Sequence, residues 1–110
     1  MISFDGRVAI VTGGAQGIGA AIAKGLGKHG ATVVIADING HGGAEVAAMI
    51  GNGAFAIETD VGDLDQIAKL HSEVIERAGK IDILINNAAI IPPQLTWEEI
   101  DHAEWQRLMR

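Results

Sequence analysis

An α/β fold built on a parallel sheet is the class this sequence predicts, and three observations predict it. Short apolar runs alternate with longer runs of helical period, the order expected of strands joined by crossover helices. The short runs are almost continuously apolar, as in Val33-Val34-Ile35-Ala36 and Ile81-Asp82-Ile83-Leu84-Ile85, which suits strands covered on both faces. A glycine-rich loop, Thr12-Gly13-Gly14-Ala15-Gln16-Gly17-Ile18-Gly19, follows the first apolar run and opens the first helical one.

The first strand is expected near Val8 to Thr12, and the helix after the glycine loop from Ile18 to Lys28, with Ile18, Ile22 and Leu26 on one side. A second strand over Thr32 to Asp37 precedes a short, alanine-rich helix near Gly43 to Ile50. A third strand, Gly53 to Glu58, leads to a helix whose apolar stripe is Leu64, Ile67, Ala68, His71, Val74, Ile75 and Ala78. His71 on that stripe reads as a packed or half-exposed histidine. The fourth strand covers Ile81 to Asn87. Pro92 and Pro93 hold the next segment out of helix, and Thr96-Trp97-Glu98-Glu99 is a capping box announcing a fourth helix toward Arg110. Four strands with three right-handed crossovers predict a Rossmann-type sheet in spatial order 3-2-1-4, half of a doubly wound fold. Its ligand crevice lies where that order reverses, between the carboxyl ends of strands 1 and 4.

Composition narrows the function. The 110 residues make one domain, and a chain of this size hides roughly 65% of its unfolded surface. Fifteen glycines are about twice the usual share of roughly 7%, which points to close backbone approaches. A net charge of −6 without a basic stripe argues against a nucleic acid or an anionic membrane as partner. With no cysteine there is no disulfide, thiol catalyst or thiolate metal site, and His29, His41, His71 and His102 stand singly without metal spacing. The first residues lack a secretory signal and no run approaches 18 apolar residues, so a soluble cytoplasmic protein is expected.

The glycine loop reads as a phosphate cradle. Gly13 permits a sharp turn out of the strand, Gly17 leaves backbone open to a pyrophosphate, and Gly19 allows close helix packing. Unpaired N–H groups and the positive helix end face the phosphates. Asp37 ends the second strand 18 residues after Gly19, where a carboxylate accepts from both hydroxyls of an adenosine ribose; capping a turn is its other reading. No Lys or Arg stands at Ala15, Gln16, Ile38 or Asn39 to neutralise a ribose 2′-phosphate, so the expected cofactor is NAD rather than NADP. Asp60 and Val61 are placed to meet the adenine, although Asp60 could equally cap the following helix.

The loop, Asp37, Asp60-Val61 and Asn86-Asn87-Ala88-Ala89 together resemble the short-chain dehydrogenase/reductase family, in order, at the right intervals and over essentially the whole chain. The resemblance implies that Gly13, Gly17, Ile18 and Gly19 hold the cofactor phosphates, with Gln16 beside them. It gives Asp37 the adenosine ribose, with Ile38 next to it, and Asp60 and Val61 the adenine. Asn87 and Ala88 meet the middle of the cofactor. Ala89 belongs to the same segment and departs from the glycine common there; Asn86 and Asn87 can also pin the central strand to its neighbours.

The larger departure concerns chemistry. Members of the family work through a serine and a Tyr-x-x-x-Lys pair, and this chain contains no tyrosine. Ser3, Thr12 and Thr96 have no evident base beside them, so no catalytic residue is identified and none for a metal. The resemblance therefore implies an NAD-binding domain over residues 1–110, incomplete relative to the family, that binds cofactor without turnover by itself. The alternative is part of a complete NAD-dependent oxidoreductase for an alcohol or carbonyl substrate, with Ser, Tyr and Lys supplied by a C-terminal half. Without the fifth strand that would normally lie beside it, the fourth strand becomes an unprotected edge, and a homo-oligomer through that strand and the last helix is expected.

Overall fold

The computed structural model describes residues 3–87. Four parallel strands, β1 (Val8–Thr12), β2 (Thr32–Asp37), β3 (Phe55–Glu58) and β4 (Ile83–Asn86), form one sheet in the order β3-β2-β1-β4. The crossovers are α1 (Gly17–Lys28), α2 (Gly40–Ile50) and α3 (Leu64–Ala78). The expected sheet order stands, and β1 and β2 have the expected bounds. β3 and β4 are shorter than expected, and α2 starts three residues early because Asn39 caps it, its side chain accepting from the Gly42 N–H at 2.9 Å. The segment expected to form a fourth helix, with Pro92, Pro93, Ala88 and Ala89, lies outside the described residues.

Strand alternation divides the core between two faces. Ala9, Val11, Val33 and Ile35 point toward Ala20 and Ala23 of α1 and Val46 and Ala47 of α2. Val8, Ile10, Val34, Ala36 and Ile57 meet Leu70 and Val74 of α3. Small residues on the first face and larger ones on the second fit the two closely set helices on one side and the one helix on the other among the described residues. Completely buried Val74 stabilises by roughly 1.5–3 kcal/mol relative to leaving it exposed.

Two expectations for the apolar faces are corrected and a third is qualified. Ile18 is 74% exposed, and α1 buries Gly19, Ala20 and Ala23 instead, because the helix meets the sheet through its small residues. In α3, Leu64 and Ile75 are exposed while Leu70 is buried, so the contact line runs through Leu70 and Val74 rather than through every apolar position; His71 is half-buried as expected. The third, that both faces of β4 are covered, holds in part: Ile83 and Ile85 pack on the first cluster and Leu84 on the second, each half-buried, and among the described residues β1 is the one strand beside it.

Candidate functional site

The carboxyl ends of β1, β2 and β3 open into a cleft of about 80 Å³ lined by Gly13, Ala36, Asp37, Ile38, Thr59, Asp60 and Val61. The sheet ladder continues into its floor. The Gly13 N–H donates to the Ala36 carbonyl at 2.8 Å, and the Thr59 N–H to the Asp37 carbonyl at 2.9 Å. Loop and strand ends are therefore held by backbone before any side chain acts.

Gly13 and Gly17 both take positive φ, +65° and +60°, a region costly to residues with a Cβ. A Cβ on Gly17 would meet nothing within 4 Å, so space is left open where a ligand could approach the backbone. The left-handed backbone also means that a valine there would strain the fold, besides blocking the approach. Gly19 has another reason to be glycine: a Cβ would run into the Gly13 carbonyl and lie 2.6 Å from the Asn87 side-chain amide. Its close approach is to the loop and to the end of β4.

The three helix starts among the described residues differ. Asn39 caps α2 and Asp63 caps α3 with their side chains, but Gln16, the extended and exposed residue before α1, makes no side-chain cap. The first N–H groups of α1 thus lack the acceptor that the other two helices supply for themselves, and exposed Ile18 sits in that first turn. Such a helix start suits an anion.

Asp37 stands beside this loop. Its Oδ2 accepts from the Ala15 N–H at 3.0 Å and its Oδ1 from the Asn39 N–H at 2.9 Å. The carboxylate therefore both caps a local turn and ties β2 to the glycine loop, a tertiary contact that spacing along the chain did not disclose. A carboxylate has about four acceptor positions, so two remain for hydroxyl donors. None of the ion pairs among the described residues involves Asp37 or Asp60.

The helix-cap reading of Asp60 does not hold. The cap is Asp63, which accepts from the Asp65 and Gln66 N–H groups. Asp60 instead shapes a turn, its carbonyl accepting from the Asp63 N–H at 3.0 Å and its Oδ1 from the Gly62 N–H at 2.9 Å, with Val61 between them on the cleft wall.

At the other side, Thr12 bridges β1 to β4. Its hydroxyl donates to Asn86 Oδ1 at 2.9 Å and accepts from the Asn87 N–H at 3.0 Å, while the Asn87 side chain donates to the Gly13 carbonyl at 3.3 Å. Asn86 and Asn87 thus pin the central strand, and Asn87 reaches the glycine loop while doing so. Thr12 is 5% exposed and engaged in this network. Among the described residues no group of three or more His, Asp or Glu could hold a metal, and no helix is long and apolar enough to cross a membrane.

Three comparisons bear on this arrangement. A family profile described as short chain dehydrogenase matches residues 7–110. The cis-4-hydroxycyclohexanecarboxylate dehydrogenase of Sinomonas cyclohexanicum is 41% identical over 110 residues, covering 97% of this chain and 44% of the relative. Among solved structures, a 3-ketoacyl-(acyl-carrier-protein) reductase from Brucella melitensis complexed with NADH superposes with a TM-score of 0.77 at 35% identity, over 96% of this chain and 44% of that one. A Pseudomonas aeruginosa RhlG/NADP active-site complex gives 0.72 at 36% identity, over 78% and 36%. The chain spans less than half the length of these relatives.

Proposed function

The chain belongs to the short-chain dehydrogenase family of oxidoreductases, and on that premise we propose that its 110 residues form an NAD(H)-binding unit that does not turn over by itself. One observation carries the reading: the Asp37 carboxylate is hydrogen-bonded to the glycine loop at Ala15, so a ribose acceptor and a phosphate cradle sit side by side. The residues fit the cofactor in kind. Gly13, Gln16, Gly17, Ile18 and Gly19 would offer backbone N–H groups and open space to the pyrophosphate. Asp37, beside Ile38, would accept from the ribose hydroxyls. Asp60 would accept from the adenine amine, with Val61 against the ring. Asn87, followed by Ala88 and Ala89, would meet the middle of the cofactor.

NAD is favoured over NADP because Asp37 would repel a 2′-phosphate and the chain places no cation at Ala15, Gln16, Ile38 or Asn39. When bound, the nicotinamide supplies hydride transfer; this chain's contribution is to bind and orient. The proton exchange that the family assigns to tyrosine has no donor here, since the chain contains none. In a protein as long as the relatives, the same residues would be the cofactor half of an oxidoreductase acting on an alcohol or carbonyl. The reading also has the protein working in the cytoplasm, with a second copy pairing along the outer edge of β4.

Calorimetric titration tests the proposal: NAD should bind at least about tenfold more tightly than NADP, the effect of one stranded charge-assisted contact. Equal affinities would remove Asp37 from its role. Mixed with NAD and secondary alcohols, the chain should give no cofactor reduction; a rate proportional to protein concentration would refute the binding-only reading. Sedimentation as a monomer at tens of micromolar would remove the paired edge.

A further inference from the structure

Gln66 is a half-buried residue in the first turn of α3 that neither spacing nor resemblance singles out, yet its amide bonds in two directions. Its Oε1 accepts from the Asp60 N–H at 2.8 Å, and its Nε2 donates to Asp63 Oδ2 at 3.1 Å. The second bond fixes the side-chain orientation, because only the NH₂ end can face a carboxylate. In an ordinary capping box the residue three places after the cap returns to the N–H of the cap itself. Gln66 reaches three residues further back, to the turn that follows β3. The cap's own N–H goes to the Asp60 carbonyl instead.

Asp60 is thereby held at three points: its N–H by Gln66, its carbonyl by the Asp63 N–H and its Oδ1 by the Gly62 N–H. Two of these are backbone groups, so the residue's dihedral angles follow from the bonds. Its Oδ2 has no hydrogen-bond partner among the described residues, and Asp60 and Val61 line the cleft. Of the three bonds, the one from Gln66 alone comes from a regular element packed on the sheet. It ties the turn to α3, whose Leu70 and Val74 are anchored in the core.

We infer that Gln66 is a positioning residue for base recognition: it aims the free oxygen of Asp60 at the exocyclic amine of the adenine and keeps Val61 against the ring. This rests on the proposed NAD-binding reading and deepens its adenine end. Without that bond the Gly62 N–H would still hold Asp60 Oδ1, but the turn that carries Asp60 and Val61 would no longer be tied to α3, so the pair would lose its fixed placement against the base and discrimination between bases would weaken.

The test compares NAD with nicotinamide hypoxanthine dinucleotide, which presents a carbonyl in place of the amine, by calorimetric titration. The native chain should prefer NAD by about tenfold, as expected for one hydrogen bond to a charged group. Gln66→Met, similar in length but unable to make either bond, should reduce that preference to below about threefold. Gln66→Glu keeps the acceptor for the Asp60 N–H but faces Asp63 with like charge, so it should fall between the two. Affinity for nicotinamide mononucleotide, which has no adenine, should be the same in all three. A role confined to α3 stability would lower the melting temperature and leave the base preference at its native value in both variants; that result overturns the inference while NAD binding stands. A native chain that binds neither dinucleotide overturns both.

Discussion

Asp82 and Asp37 use one device at opposite ends of the sheet, and their surroundings give it opposite uses. At the amino end, just before β4, Asp82 Oδ2 accepts from the Val8 N–H at 2.8 Å while its own N–H donates to the Val8 carbonyl at 2.9 Å, so β4 is locked beside β1. Arg7 at 3.6 Å and Lys80 at 3.2 Å neutralise the charge. The Val8 hydrogen bond, helped by these cations and opposed by desolvation, holds the Asp82 carboxyl below its ordinary value. At the carboxyl end Asp37 also accepts from a backbone N–H of a neighbouring segment, but no cation among the described residues pairs with it. A carboxylate surrounded by its own counter-charges stabilises the fold; one given only N–H donors keeps acceptor capacity for a ligand.

The sharpest way to break the carboxyl end is Gly19→Ala. The added methyl meets the Gly13 carbonyl and the Asn87 amide, which cannot move without disturbing the join between β1 and β4. A loss of about 1–3 kcal/mol in stability, the usual cost of overpacking, should accompany loss of NAD binding. Denaturant melts and titration on the same sample check it; native stability with native affinity would show that the close approach at Gly19 is not needed.

Asp37→Ala should separate binding from folding. Removing an acceptor of charge-assisted bonds should cost about 1–3 kcal/mol of NAD affinity. Freeing the Ala15 N–H should additionally raise amide exchange in the glycine loop, whereas the denaturation midpoint should move little, because the loop's ladder bond from Gly13 to Ala36 remains. Unchanged NAD affinity would make Asp37 as purely structural as Asp82.

Asp82→Asn should do the reverse, lowering the melting temperature without changing NAD affinity, and its effect should be the smallest of the three because an amide oxygen can still accept from Val8. The pH dependence identifies it. Since the folded carboxyl lies below its ordinary value of 3.8, its contribution is present above that value and lost as pH falls through the folded one. The native chain should therefore lose stability on acidification below about pH 4, and Asp82→Asn should lose less over the same range. Identical acid profiles would deny Asp82 the role of pin.

Much of this molecule is determined by sequence alone. Continuous apolar runs separated by helical periods set a parallel sheet with right-handed crossovers, and the glycine loop after the first strand selects the order 3-2-1-4 of a doubly wound half. Val8–Thr12 and Thr32–Asp37 were readable to the residue because both faces of these central strands are covered and nothing interrupts them. The glycine loop, Asp37 and Asp60 were readable as candidates because phosphate, ribose and base each call for a particular residue type at a strand end. What tertiary structure decided is where side chains find partners across segments. Ile18 and Leu64 carry the helical period yet lie exposed, because which part of an apolar stripe is buried depends on how the helix sits on its sheet. The bond from Asp37 to Ala15 and the reach of Gln66 to Asp60 join residues 22 and 6 apart, and no periodicity encodes them. Hydrogen bonds are short and directional, so they exist only once packing has brought donor and acceptor within about 3 Å, whereas hydrophobic burial is non-directional and can be read from order along the chain.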